Sequence, residues 1–229
     1  MFVYAEVAAG VLVRERGRLR CAVRHAEEFL VVPEDRLDPA LRSVVEAVGL
    51  PVHPAEAPRP HPLVDRWAAA QVVEARREVL EHAVCREFLA GTSAPLIVDG
   101  GLAGLAGATG ADRAVGVVKQ HETQFLDGDD LTVALTLPEG YRSSVFARTL
   151  GDGTVTHSWY LRLWAWSGED LLHGLARVEQ LEGDRDADRV SRWLLAERAP
   201  IAGRDPRWDR LLYPIHEVEM VLRAHWGGW

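Results

Sequence analysis

The chain has 229 residues, 48% hydrophobic and 26% charged, with a formal net charge of -8 and a pI near 5.6. That length suits one large domain, or a small domain with an appendage. The acidic balance excludes a general basic coat for nucleic acid, whose affinity rests mainly on phosphate neutralisation.

Cys21 and Cys85 are the only cysteines, so no disulfide framework is expected and a reducing cytoplasm fits. The opening residues do not read as a signal peptide. No apolar run approaches the ~18 residues of a membrane span.

Residues 1 to 36 read as β. Val11–Arg14 and Leu19–Val23 flank a hairpin turn at Glu15–Arg18, and Phe29–Val32 makes a third candidate strand stopped by Pro33. Asp38 as N-cap and Pro39 at the first helical position open a short helix that ends at Gly49. Residues 51 to 62 hold five prolines and read as a connector. It would separate an N-terminal β-rich unit, 1–50, from a main domain, 63–229.

Leu63 to Ala90 carries no Gly or Pro and reads as one helix, roughly 40 Å long at 1.5 Å per residue, with Gly91 closing it. Such a helix could pack on a sheet or pair with a second copy of the chain. Leu96, Ile97 and Val98 suit a strand buried on both faces, ending at Asp99. The glycines at 100, 101, 104, 107 and 110 follow, without GxGxxG or GK[ST]. That rules out a dinucleotide or Walker-type loop.

Ala114–Lys119 is the next strand, running into Gln120-His121. An apolar run at Leu131–Leu135 follows Asp127-Gly128. Strands are expected to begin at Tyr141–Phe146, to span His157–Trp164 and to span Leu171–Leu181. In the second of these, Tyr160 and Arg162 share one face and Trp159, Leu161 and Leu163 the other. Arg185–Glu197 reads as a helix, Ala199–Arg210 as a loop and Ile215–Trp226 as a last helix. The order of elements gives an α/β class with a sheet flanked by helices.

Asp99 reads either as an active-site carboxylate on a central strand or as the first residue of a Gly-rich turn. Glu179 is either an oxygen ligand or the same-face partner of Arg177. On the last helix, Ile215, Val218, Leu222 and Trp226 form the apolar stripe, and Glu219 lies just inside its edge. His216 and Arg223 flank that stripe and Glu217 points to solvent. Glu219 needs an arginine or a metal.

If Asp99, Glu179 and Glu219 converge, they make a site for Mn²⁺ or Mg²⁺. Two such ions about 4 Å apart activate water and stabilise the leaving oxygen of a phosphodiester. Lys119 would contact the phosphate, and His121 would be a ligand or proton carrier. Arg142, Arg162 and Arg177 are candidates for a substrate groove. HExxH, GxSxG and paired CxxC motifs are missing from the sequence, so zinc and serine hydrolase readings gain no support.

Five pieces occur in order: Ile97-Val-Asp99-Gly-Gly, Val115-Gly-Val-Val-Lys119-Gln-His121, Ser158-Trp-Tyr-Leu-Arg-Leu163, Gly174-Leu-Ala-Arg177-Val-Glu179 and Tyr213-Pro-Ile-His-Glu-Val-Glu219. Together they resemble bacterial members of the NurA nuclease family, over roughly residues 94 to 226. The resemblance implies an RNase H-like fold, Mn²⁺-dependent action on DNA in end processing, a hexameric HerA-like ATPase as partner, and a homodimer. It also implies that Asp99 binds metal. Gly101 stands where the family usually has serine. An alternative of a different class is a non-catalytic NurA-like adaptor that binds an ATPase or a nucleic-acid end. A third, a small-molecule hydrolase, would need a closed apolar pocket.

Overall fold

The computed structural model describes residues 2–16, 18–33, 38–56, 61–121, 123–151, 153–166, 170–181, 186–198 and 212–226. It divides into two compact units, Met1–Val84 and Cys85–Trp229.

The first unit begins with two long antiparallel strands, β1 (Val3–Glu15) and β2 (Arg18–Pro33), joined across Glu15 and Arg18. On β1, Ala5, Val7, Ala9 and Val11 are buried in strict alternation, the period-2 pattern of a half-buried strand. The two strands expected at Leu19–Val23 and Phe29–Val32 are one strand. No Gly or Pro interrupts Arg24–Glu28, and β1 supplies ladder partners along its whole length.

Helix α1 (Pro39–Val48) starts as its cap chemistry predicts. Asp38 Oδ1 accepts from Leu41 N–H at 2.8 Å, and Gly49 closes the helix in the left-handed region at φ 74°. Of the stretch read as a connector, Val52–Ala55 is a strand, β3, paired parallel to β2 from Leu30↔Val52 to Pro33↔Ala55. Residues 57–60 lie outside the described residues. Helix α2 (Pro62–Gly91) is the long helix expected from the sequence, and Arg76 ties it to Glu27 of β2 at 2.6 Å. The division between units falls within α2, after Val84, and not at the prolines.

The second unit is built on a five-stranded sheet in the order β4-β5-β8-β7-β6. These are β4 (Leu96–Asp99), β5 (Ala114–Val118), β6 (Phe146–Thr149), β7 (Val155–Arg162) and β8 (Leu175–Gln180). β4 and β5 are parallel, and every other pair is antiparallel. The strand expected to be central, β4, stands at the sheet's edge. β8 takes the central place and is buried along its whole length. β4 is also not buried on both faces: Leu96 is buried, but Ile97 and Val98 are half-buried and Asp99 is exposed, because a short apolar run does not say how many neighbours a strand has.

One face of the sheet presents Val115, Val117, Trp159, Leu161, Ala176 and Val178. It packs against α4 (Ala187–Glu197) through Val190 and Leu194 and against α5 (Tyr213–Trp226) through Ile215. Asp186 caps α4 by accepting from Arg189 N–H at 2.9 Å, and Trp159 Nε1 donates to Ser191 Oγ at 3.0 Å. The other face carries Tyr160 and Leu175, packed against Ala134 and the neighbouring Leu137. Ala134 belongs to α3 (Gly128–Leu135), so the apolar run at Leu131–Leu135 is helical. Asp129 and Asp130 in its first turn suit the positive end of the helix dipole. The loop expected at Ala199–Arg210 lies outside the described residues. Among the described residues no helix is long and apolar enough to cross a membrane.

Candidate active site

Asp99 is the last residue of β4, and its register partner on β5 is Val117. Lys119 follows two residues later, so strand alternation brings both side chains to the face covered by α4 and α5. Lys119 Nζ meets Asp99 Oδ1 at 2.6 Å, with the Asp99 side chain 42% exposed and that of Lys119 17% exposed. Open α/β sheets bind ligands outside the carboxyl ends of parallel strands. This pair sits at that end of the one parallel strand pair in the sheet.

Glu179 is elsewhere. It alternates with Arg177 on β8 and faces the side of Tyr160, not that of Asp99. It is 1% exposed. Its Oε2 meets Arg177 Nη1 at 2.5 Å and Arg148 Nη1 at 3.4 Å, and its Oε1 accepts from Leu102 N–H at 2.6 Å. Both guanidinium carbons lie over the Phe125 ring, at 4.5 Å for Arg148 and 4.7 Å for Arg177. The same-face pairing of Arg177 with Glu179 is therefore the geometry found, and a carboxylate so occupied does not fit a metal ligand.

Glu219 lies on α5, one turn beyond Ile215, half-buried, with Arg223 Nη2 at 3.6 Å. Glu217 of the same helix is half-buried instead of pointing to solvent, and its Oε2 is enclosed with no hydrogen-bond partner among the described residues. Among the described residues no three His, Cys, Asp or Glu side chains are grouped to hold a metal. Asp99 and Glu219 each keep a partly exposed carboxylate, paired with Lys119 and Arg223 respectively.

The remaining residues separate by role. His121 Nε2 is 3.0 Å from Leu175 O, and its ring is 5.9 Å from that of Tyr160, on the face away from Lys119. Arg142 bonds Asp188 Oδ1 at 2.6 Å and Ser143 O at 2.7 Å. Arg162, read as a groove residue, is wholly buried. Its Nε donates to Leu137 O at 3.2 Å, Nη1 to Leu171 O at 3.1 Å and to His173 O, and Nη2 to Leu135 O at 2.5 Å. Burial pushes its pKa down, and the charge of Asp170 partly offsets this. It joins the end of α3 to the turn before β8, with four of its five N–H donors on carbonyls.

No protein-family model matches the chain, and no curated protein matches it.

Sequence reasoning missed Arg148, Phe125 and the close fit around Gly101 and Gly116. The available signal was Gly116 itself. A glycine inside an otherwise apolar strand marks a place where another group approaches the backbone.

Proposed function

We propose that this chain is a NurA-like, Mn²⁺- or Mg²⁺-dependent nuclease hydrolysing DNA phosphodiester bonds, centred on Asp99 and Lys119. The observation that carries the reading is the Asp99–Lys119 pair at the carboxyl end of β4 and β5. A half-exposed carboxylate there can engage a divalent ion, and this reading takes Glu219 as the assisting acid. The ion, when bound, supplies water activation and charge stabilisation. Lys119, whose ammonium pairs with Asp99 here, would bind a non-bridging phosphate oxygen if Asp99 engaged a divalent cation instead. The mixed sheet with helices on its face supports the RNase H-like arrangement that the resemblance implies. DNA end processing, a HerA-like ATPase partner, a cytoplasmic setting and a homodimer belong to the same reading. A monomeric mass by light scattering at micromolar concentration would remove the dimer.

The test is Asp99→Asn and Glu219→Gln, assayed for DNA cleavage in Mn²⁺ and for Mn²⁺-induced stabilisation. Binding at one hundred times the dissociation constant stabilises by about 2.7 kcal/mol. Asp99→Asn should lose that increment and lose cleavage by orders of magnitude, with the metal-free fold intact. Full Mn²⁺-dependent cleavage by Asp99→Asn would sink the mechanism.

A second reading, the non-catalytic adaptor, is favoured by one observation: the Glu179 carboxylate is taken up by Arg177, Arg148 and Leu102 N–H. An adaptor would bind a DNA end or an ATPase without cleavage and without any response to Mn²⁺.

A further inference from the structure

Glu179 stands opposite Gly116 of β5 in the sheet register, and its side chain passes over that glycine to reach the turn after β4. The passage exists because Gly116 has no side chain. A Cβ there would lie 2.7 Å from Gly100 O and 2.9 Å from Glu179 Cγ. The turn is fitted as closely, since a Cβ on Gly101 would stand 2.8 Å from Glu179 Oε1. Two hydrogen bonds hold this turn on either side of Gly101. Gly100 N–H donates to Val117 O at 3.0 Å, and Leu102 N–H donates to Glu179 Oε1 at 2.6 Å. Gly100 sits at φ 127°, a conformation open to glycine and disfavoured for residues with side chains. The far end of the strut is fixed as well, because Arg177 and Arg148 grip Oε2.

We propose that Glu179 is a positioning residue: from the opposite face of the sheet it fixes the Gly100–Leu102 turn, and through that turn it sets the Asp99 carboxylate against Lys119. Its meaning for function rests on Asp99 being the reactive carboxylate. Its geometry does not, and neither does its test. The guanidiniums and the N–H use different oxygens of one carboxylate. Glu179→Asp keeps a negative charge beside Arg177 but draws the whole carboxylate back by one methylene, whereas a Cβ at Gly101 crowds Oε1.

The experiment is NMR on the metal-free full chain, comparing wild type, Glu179→Asp, Gly101→Ala and Asp99→Asn. In Glu179→Asp, amide exchange at Leu102 should quicken at least tenfold. The Lys119 ¹⁵Nζ resonance should move at least halfway to its position in Asp99→Asn. Should Glu179→Asp fail to fold, Gly101→Ala reports instead, because its methyl displaces Oε1 while leaving Arg177 in place, and both changes must appear there. Faster exchange at Leu102 with Lys119 unmoved would reduce Glu179 to a structural ion pair and overturn the proposal, as would no change in either. Failure of the nuclease reading shows separately, as cleavage retained by Asp99→Asn.

Discussion

Replacing Arg162 by methionine tests whether this arginine builds the fold or the substrate groove. Methionine fills the channel with an unbranched apolar chain but donates no hydrogen bond. Four carbonyls, those of Leu135, Leu137, Leu171 and His173, then lose this donor, that of Leu137 in a buried bond and the others in part-buried ones. If each orphaned acceptor costs about 1 kcal/mol, the sum is about 4 kcal/mol. Relief from burying a charge works in the other direction, the same burial that pushes the Arg162 pKa down. About 3 kcal/mol is therefore the expected net loss, read as a lower midpoint in urea with an unchanged slope, followed by tryptophan fluorescence. Arg162→Lys should lie between the two, because an ammonium has three donors but no planar fork. A midpoint unchanged in Arg162→Met, together with weakened DNA binding, would refute the structural role and return Arg162 to the groove.

Gly116→Ala puts a methyl against Gly100 O, Glu179 Cγ and Leu102 Cγ, at 2.7, 2.9 and 3.0 Å. Overpacking there should cost about 2 kcal/mol, and a melting temperature equal to wild type would show that the turn yields freely. Tyr160 gives the pH dependence. Burial pushes its phenol pKa up, with the Arg177 charge pulling part of the way back. The unfolded phenol ionises first, near pH 10, so the unfolded state releases the proton earlier. This contribution is complete below pH 10 and is lost as pH rises from there through the folded value. Stability measured from pH 9 to 11 should fall more steeply in wild type than in Tyr160→Phe, and parallel curves would exclude Tyr160 as the cause.

What the sequence determined by itself is local. Asp38, Pro39 and Gly49 bound α1 because caps act within one turn. The Gly- and Pro-free stretch from Leu63 to Ala90 gives α2, since nothing in it breaks the i to i−4 ladder. The alternation of Trp159 with Tyr160 sets the two faces of β7, because the strand period is two.

The tertiary structure alone decided the relations between strands. It put β4 at an edge and β8 in the centre, since ladder partners are chosen by long-range pairing and not by the composition of a strand. It made Leu131–Leu135 helical, where a five-residue apolar run suits either state. It placed Asp99 with Lys119 on one face and Glu179 with Arg177 on the other. The three acids could be found in the sequence, and so could Arg177 as the same-face partner of Glu179, but Arg148 and the Leu102 N–H could not. The N–H that Glu179 accepts from is 77 residues away, and the carbonyls around Arg162 are drawn from both sides of it along the chain. A buried charge takes its role from the groups that neutralise it, and folding chooses those groups.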